Sequence, residues 1–557
     1  MFRGYGVKKV EAFLLTRKNS NTFALLMKHA FLIFCLLVLG FISCKKENQE
    51  NKLLAQHDII DTIKNVTIHV MPEDLLENQT DSVQSYYKKF KNYEIWYDRE
   101  NREDLIAQIE NCKYEGLNPE DYNLNKIYNI EIKRDSLEKE ELLAYDVLLT
   151  ETFEKLATHF YKGKVNPKEV APNWDLFEKK TAVANWLEEA IPANKVATTL
   201  KGLLPKHWQY QQLKRALVEI DQFPASTFDS IRFVKKITLN DTFPALKKIK
   251  ERLFFWKDYK RKDTLYTAVY DTITFKAMKR FQTRHGLLAD GVVGASTIKA
   301  LNYNKETRKQ QILSNLERWR WYPKDLGKQY IIVNLPEFML HYVVDQDTVA
   351  ERKVVVGRPK RMTPVLSSKL SNFVFNPTWT VPPTIIKEDL AVEAAKNRGY
   401  FSRSRITIYN SKNQEVSPVN WNPNKPNNYR YVQTPGYNNS LGLVKFNFPN
   451  SHLVYLHDTN HREMFAYNYR ALSSGCVRVE NPVVLAKQIL SSQEGNRWKS
   501  GEEVDKIIAK KDTYMVKVKQ SIYIHQLYWT CWMNKNGLQF REDIYNLDLR
   551  VYSKLRS

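Results

Sequence analysis

The segments Leu453-Val454-Tyr455-Leu456-His457-Asp458-Thr459 and Ser473-Ser474-Gly475-Cys476-Val477-Arg478-Val479 hold one histidine and one cysteine in a setting suited to nucleophilic catalysis. Val454 and Leu456 alternate with Tyr455, the period of a strand that delivers His457 at its end. Ser-Ser-Gly reads as a turn presenting Cys476, and Val477 and Val479 resume the alternation. The thiolate rather than the thiol attacks, so His457 is the candidate general base and the Arg478 cation a candidate to lower the thiol pKa. Gly475 lets the backbone approach a substrate carbonyl at no steric cost. The competing reading is that a cysteine is a small buried hydrophobe and that a histidine this near in sequence is coincidence; spacing alone leaves both standing. His452, opening the strand, and His461, in a loop, compete with His457, while Asp458 and Thr459 suit the fixing of a turn.

The order His-Asp-Thr followed by Ser-Ser-Gly-Cys-Val-Arg resembles the active-site signature of the L,D-transpeptidases, whose YkuD-type domain cross-links bacterial peptidoglycan. Many smaller members carry His where this chain has Ser474, whereas the large class shares Ser-Ser-Gly-Cys, which places the work of the base on His457. The resemblance implies that Cys476 attacks the third residue of a tetrapeptide stem, a diamino acid, and expels the terminal D-Ala as a thioester forms. The side-chain amine of a second stem then resolves the thioester to give a 3-to-3 cross-link. His457 acts as base with an imidazole pKa near the working pH. The Cys476 N–H, helped by Gly475 or Tyr455, stabilises the oxyanion. Tyr455, Ser474 and Arg478 face the substrate, Arg478 binding a stem carboxylate or polarising Cys476 or forming an ion pair beneath the turn. The resemblance further implies that carbapenem-type β-lactams acylate Cys476. A hydrolase using the same thioester and a noncatalytic wall-binding lipoprotein are the alternatives.

The chain has 557 residues, 43% hydrophobic and 12% aromatic, enough for two to four packed cores and not the composition of a disordered protein. Its 85 basic and 62 acidic residues leave +23, which suits an anionic partner such as nucleic acid, a membrane surface or a wall polymer. No zinc-ligand spacing, Gly-rich phosphate loop or nucleic-acid motif appears. No cofactor, metal or nucleic acid is therefore expected, and the excess reads as a diffuse surface property. The expected partners are peptidoglycan stem peptides, as donor and acceptor, and a membrane.

Residues 1–44 read as an export leader. Met27-Lys28-His29 precede an apolar run from Ala30 to Ile42, then Ser43-Cys44-Lys45-Lys46, which is a basic start, a short apolar core and a small residue before a cysteine. Phe41-Ile42-Ser43-Cys44 looks like a relaxed lipobox in which Cys44 would carry lipid at the mature N-terminus. Phe41 departs from the usual Leu and leaves an N-terminal anchor helix as the alternative. Either attaches the protein to a membrane on the periplasmic side of the envelope. Cleavage there takes six basic and one acidic residue from the 85 and 62, leaving +18. The remaining Cys112, Cys476 and Cys531 are odd in number, which argues against a disulfide framework.

The elements that position these residues give a multidomain α+β chain. Residues 45–57 are a polar tether. Residues 58–245 show helical periodicity, as in the run from Glu138 to Tyr161, and resemble the scaffold domain of the large class. Residues 246–303 predict a helix over Phe275–His285, a turn at Gly286–Gly291 and a capped helix from Gly294 to Leu301, similar to small peptidoglycan-binding domains. The glycines and Thr297 suffice there as turn and cap residues. Residues 312–520 are expected to form the β-rich catalytic domain, strand-rich from the outset, with a capping lobe inserted at about 387–432. Residues 521–557 are set apart as a C-terminal extension.

Overall fold

The computed structural model describes residues 58–557 except 62–65, 177–178, 227, 261–265 and 493–496. The leader, Cys44 and the tether lie outside the described residues. The chain divides into two compact units, one running up to Asp98 and including Ser136–Val147, the other comprising Arg99–Asp135 and Leu148–Ser557. In the first, the buried Asp146 carboxylate accepts from the Tyr87 hydroxyl at 2.6 Å and from the Trp96 N–H at 2.6 Å. Burial pushes its pKa up to about 7.

In the second unit, helices Leu246–Phe255, Thr272–Arg284 and Ala295–Leu301 form the small module expected from the sequence. Asp271 caps the second helix by accepting from Thr274 N–H, and Gln282 holds the following turn through Gly291 N–H at 2.8 Å and Val292 C=O at 2.9 Å. Thr297 is buried within this hydrogen-bonded turn.

The catalytic region is built on an eleven-stranded sheet among the described residues. Its strands are β1 (Gln329–Asn334), β2 (Met339–Val344), β3 (Asp347–Gly357), β4 (Leu366–Lys369), β5 (Asn372–Phe375), β6 (Val444–Asn447), β7 (Leu456–His457), β8 (Ala471–Ser473), β9 (Val477–Val479), β10 (Tyr514–Lys517) and β11 (Tyr523–Leu527). The order is β10-β5-β6-β7-β9-β3-β2-β1-β11-β4, with β8 paired to β3. Alternation sends Phe446, Leu456, Val477 and Val479 into a fully buried core, and Leu485, Ala486 and Ile489 of helix Pro482–Ser491 are fully buried as well. The opposite alternates on β6, β7 and β9 are Lys445, His457 and Arg478, a polar row on the other face.

Two features depart from the sequence reading. The region does not begin with strands, because helix Lys305–Trp321 precedes β1. That helix is buried on more than its apolar side: besides Ile312, Leu313, Leu316 and Trp319 it buries Arg308, Glu317, Arg318 and Arg320. The segment set apart as an extension contributes β11, which lies between β1 and β4 inside the sheet.

The inserted lobe has its own four-stranded sheet, in the order Glu415–Val416, Ile406–Tyr409, Arg430–Gln433, Trp379–Thr380. Its separate core packs Leu390, Phe401, Ile408, Trp421 and Tyr431. This lobe therefore opens at Trp379, ahead of the 387–432 span expected from composition.

Candidate active site

Cys476 sits on the bend between β8 and β9, where Gly475 adopts φ +120°, a conformation that side chains with Cβ rarely take. Ser473 staples the bend: its hydroxyl donates to the Cys476 carbonyl at 2.6 Å and accepts from the Gly475 N–H at 3.2 Å. The Gly475 N–H is thus occupied, whereas the Cys476 N–H has no acceptor among the described residues. Ser474 is exposed and accepts from Arg361 at 2.8 Å.

The bend is braced from beneath. The Thr363 hydroxyl donates to the Gly475 carbonyl at 2.8 Å and accepts from the Gly357 N–H at 2.8 Å. Tyr545 donates to the Gly357 carbonyl at 2.7 Å. Gly357 is required for close approach, since a Cβ there would lie 2.1 Å from the Arg361 carbonyl oxygen. Tyr545, far along the chain, therefore helps hold the nucleophile bend.

Parallel pairing of β7 with β9 sets Leu456 opposite Val477 and His457 opposite Arg478, and Val477 N–H donates to the Tyr455 carbonyl at 3.2 Å. This brings Tyr455 beside Cys476, close enough to act on the ionisation of the thiol. Burial pushes the Cys476 thiol up, while Tyr455, Lys445 and Arg478 pull it down. Part of Cys476 meets solvent; Cys112 and Cys531 are buried.

His457 is buried, with its ring 5.6 Å from that of Tyr455 and Nδ1 hydrogen-bonded to the Asp458 carbonyl. Burial, with Arg478 and Lys445 adding to it, lowers its pKa to about 3. The expected value near the working pH does not hold, because the strand pairing that delivers this imidazole also removes it from water. It is a neutral ring throughout the physiological range. Asp458 accepts from Leu443 N–H at 2.8 Å and Arg462 at 2.6 Å, and Thr459 accepts from His461 N–H at 3.0 Å, so both fix the turn after His457. His461 is exposed and paired with Glu463 at 3.1 Å, and His452 is half-buried with its N–H on Asn450.

Three residues of this site were not singled out in the sequence. Trp379 of the lobe acts on the Tyr455 hydroxyl, lowering its pKa against the effect of burial. Arg361 joins Ser474 to the lobe's Glu388 and, at 2.7 Å, to Asp389. Lys445 lies opposite His457 on β6. No local signal marks them, since each reaches the site through strand pairing or a loop.

Residues 328–494 match the family described as the L,D-transpeptidase catalytic domain. The chain carries an L,D-transpeptidase catalytic domain. Residues 81–217 match the scaffold domain and 244–301 the family described as "Putative peptidoglycan binding domain". A curated relative of this catalytic domain's class from Haemophilus influenzae, described as "Putative L,D-transpeptidase", is 35% identical over 245 residues, 43% of this chain and 49% of its own length. The chain thus spans about half the length of the curated relative it matches. Among solved structures, an L,D-transpeptidase from Xylanimonas cellulosilytica aligns at 14% identity over 53% of this chain and 100% of its own, with a TM-score of 0.16. Another from Stackebrandtia nassauensis aligns at 12% identity over 54% and 97%, with a TM-score of 0.20. TM-scores this low add nothing to the assignment of the L,D-transpeptidase domain.

Proposed function

We propose that this protein forms 3-to-3 cross-links between peptidoglycan stems through a thioester on Cys476. The observation that carries this reading is the Cys476 thiol on a positive-φ glycine bend beside Tyr455, with neutral His457 on the strand paired to the one that follows the bend. Cys476 loses its proton and its sulfur attacks the diamino-acid carbonyl of a donor tetrapeptide. The carbon–nitrogen bond to D-Ala breaks, and the leaving amine takes a proton. An acceptor amine then attacks the thioester, forming the new amide and returning a proton to the thiol. His457 carries these protons: its imidazole is neutral and able to accept one, and the burial that lowers its pKa also makes it a weaker base than a free imidazole. The unpartnered Cys476 N–H and the Tyr455 hydroxyl supply the oxyanion donors, each worth about 3–4 kcal/mol if lost. The capping lobe, by excluding water, favours an amine over hydrolysis.

Disaccharide-tetrapeptides incubated with the protein test this by product mass. Cross-linked dimers are expected. Trimmed monomers would replace the reading with a hydrolase, and unchanged substrate would leave a wall-binding protein.

The wall polymer places this activity on the periplasmic side of the envelope, and Cys44 supplies the membrane attachment. Among the described residues no helix is long and apolar enough to cross a membrane. Replacing Cys44 should release the protein from the membrane fraction or trap its precursor; unchanged attachment with the leader retained would favour the anchor helix.

The ionisations set the pH profile of acylation by a carbapenem-type β-lactam. His457, held at about 3, stays neutral from pH 5 to 9, and the thiol, pushed up, is the group that ionises. The wild-type rate should therefore rise with pH through a single alkaline step. His457→Ala should slow acylation about 10²–10⁴-fold, the loss narrowing only above the raised thiol pKa, where thiolate forms unaided. A limb near pH 6.5 that disappears in His457→Ala would mean that this imidazole titrates in its ordinary range.

A further inference from the structure

Lys445 stands directly opposite His457 on β6, and its ammonium lies 3.9 Å from the centroid of the Tyr455 ring. On the other flank of His457, β9 supplies Arg478 in register. Strand alternation puts both cations on the face that carries Tyr455 and Cys476. Neither has an ion-pair partner among the described residues. Arg478 donates to the Met464 sulfur at 3.2 Å, and the acid that acts on it, Glu463, is engaged by His461 at 3.1 Å. Burial lowers the pKa of both cations; Cys476 opposes this at each of them, and Glu463 does so as well at Arg478. Partly buried cations without a carboxylate are costly. Two of them flanking one nucleophile mark a place where an anion arrives.

We propose that Lys445 and Arg478 form a carboxylate-recognition subsite that seats a free carboxylate of the donor stem beside the scissile carbonyl. The proposal rests on the transpeptidase reading of Cys476. A carboxylate brought next to a thiolate repels it and raises the thiol pKa, and two cations offset that repulsion. The donor's own charge then orients it without silencing the nucleophile. Two carboxylates of a stem share this chemistry: that of the leaving D-Ala, and a side-chain carboxylate where the diamino acid bears one.

Alkylation of Cys476 in the full chain by iodoacetate and by iodoacetamide, followed by peptide mass, tests the subsite without turnover. Both reagents consume the same thiolate, so their rate ratio cancels any change in thiol pKa and reports the field at a carboxylate next to the reacting carbon. The iodoacetate-to-iodoacetamide ratio should fall about tenfold in Lys445→Met and stay near wild type in Lys445→Arg. An unchanged ratio in a folded Lys445→Met protein overturns the proposal. Protection of Cys476 by tetrapeptides then names the source. Amidation of the terminal carboxylate, or of the side-chain one, should weaken protection by the free acid about tenfold, and equal protection by all three peptides overturns stem recognition. If no peptide protects wild type, the transpeptidase reading fails, while the reagent ratio still judges the subsite.

Discussion

Cys476→Ala should eliminate both the β-lactam adduct and cross-linked product, a loss of at least about 10⁴-fold, while the protein stays folded. In the proposed mechanism the sulfur is the atom whose bond to substrate carries the acyl group, so no neighbour can substitute for it. Burial pushes the Tyr455 hydroxyl up and away from reactivity, and Ser474 is turned to Arg361. The substitution keeps Cβ and leaves the backbone staples from Ser473 and Thr363 in place, so melting should change little. Cys112→Ser and Cys531→Ser should retain activity, because burial pushes both thiols up and away from reactivity, Cys112 to about 12. Intact mass after β-lactam treatment reads all three variants. An adduct persisting on the alanine variant would remove the thiol mechanism.

The largest loss of stability is expected from Glu317→Ala. Glu317 is fully buried on helix Lys305–Trp321 and pairs with equally buried Arg320 at 2.5 Å. Its other oxygen accepts from the Val165 N–H at 2.7 Å and the Trp321 indole at 3.2 Å. Arg320 in turn donates to the Glu115 carbonyl at 2.8 Å. Removing one partner of such a pair strands the other charge in a medium that solvates it poorly, a cost of about 3–5 kcal/mol. The same helix reaches the sheet region, where Trp319 stacks on Trp529 at 4.4 Å and Asn315 donates to Thr530 at 2.7 Å. The damage should therefore spread to β11 and its surroundings. Urea unfolding followed by tryptophan fluorescence would measure it, and a midpoint matching wild type would mean that the Arg320 charge finds other compensation.

The residue string by itself determined the nucleophile bend, the strand that ends at His457 and the helices of the small binding module. These depend on turn chemistry and on periods of two and 3.6, which are written in adjacent residues. It also located an inserted lobe, though not its opening at Trp379, which joins the lobe only by pairing with the distant strand Arg430–Gln433. Helix Lys305–Trp321 was missed because buried Arg308, Glu317, Arg318 and Arg320 stand among its buried apolar residues and blur the apolar period that a sequence reading relies on.

Tertiary structure decided the rest. Pairing of β6 with β7 brought Lys445 to His457, β11 entered the sheet between β1 and β4, and Tyr545 came under Gly357 from near the end of the chain. It also decided the ionisations. A histidine in a sequence carries its solution pKa, and only a sheet that removes His457 from water and sets Arg478 and Lys445 around it can hold it neutral at about 3.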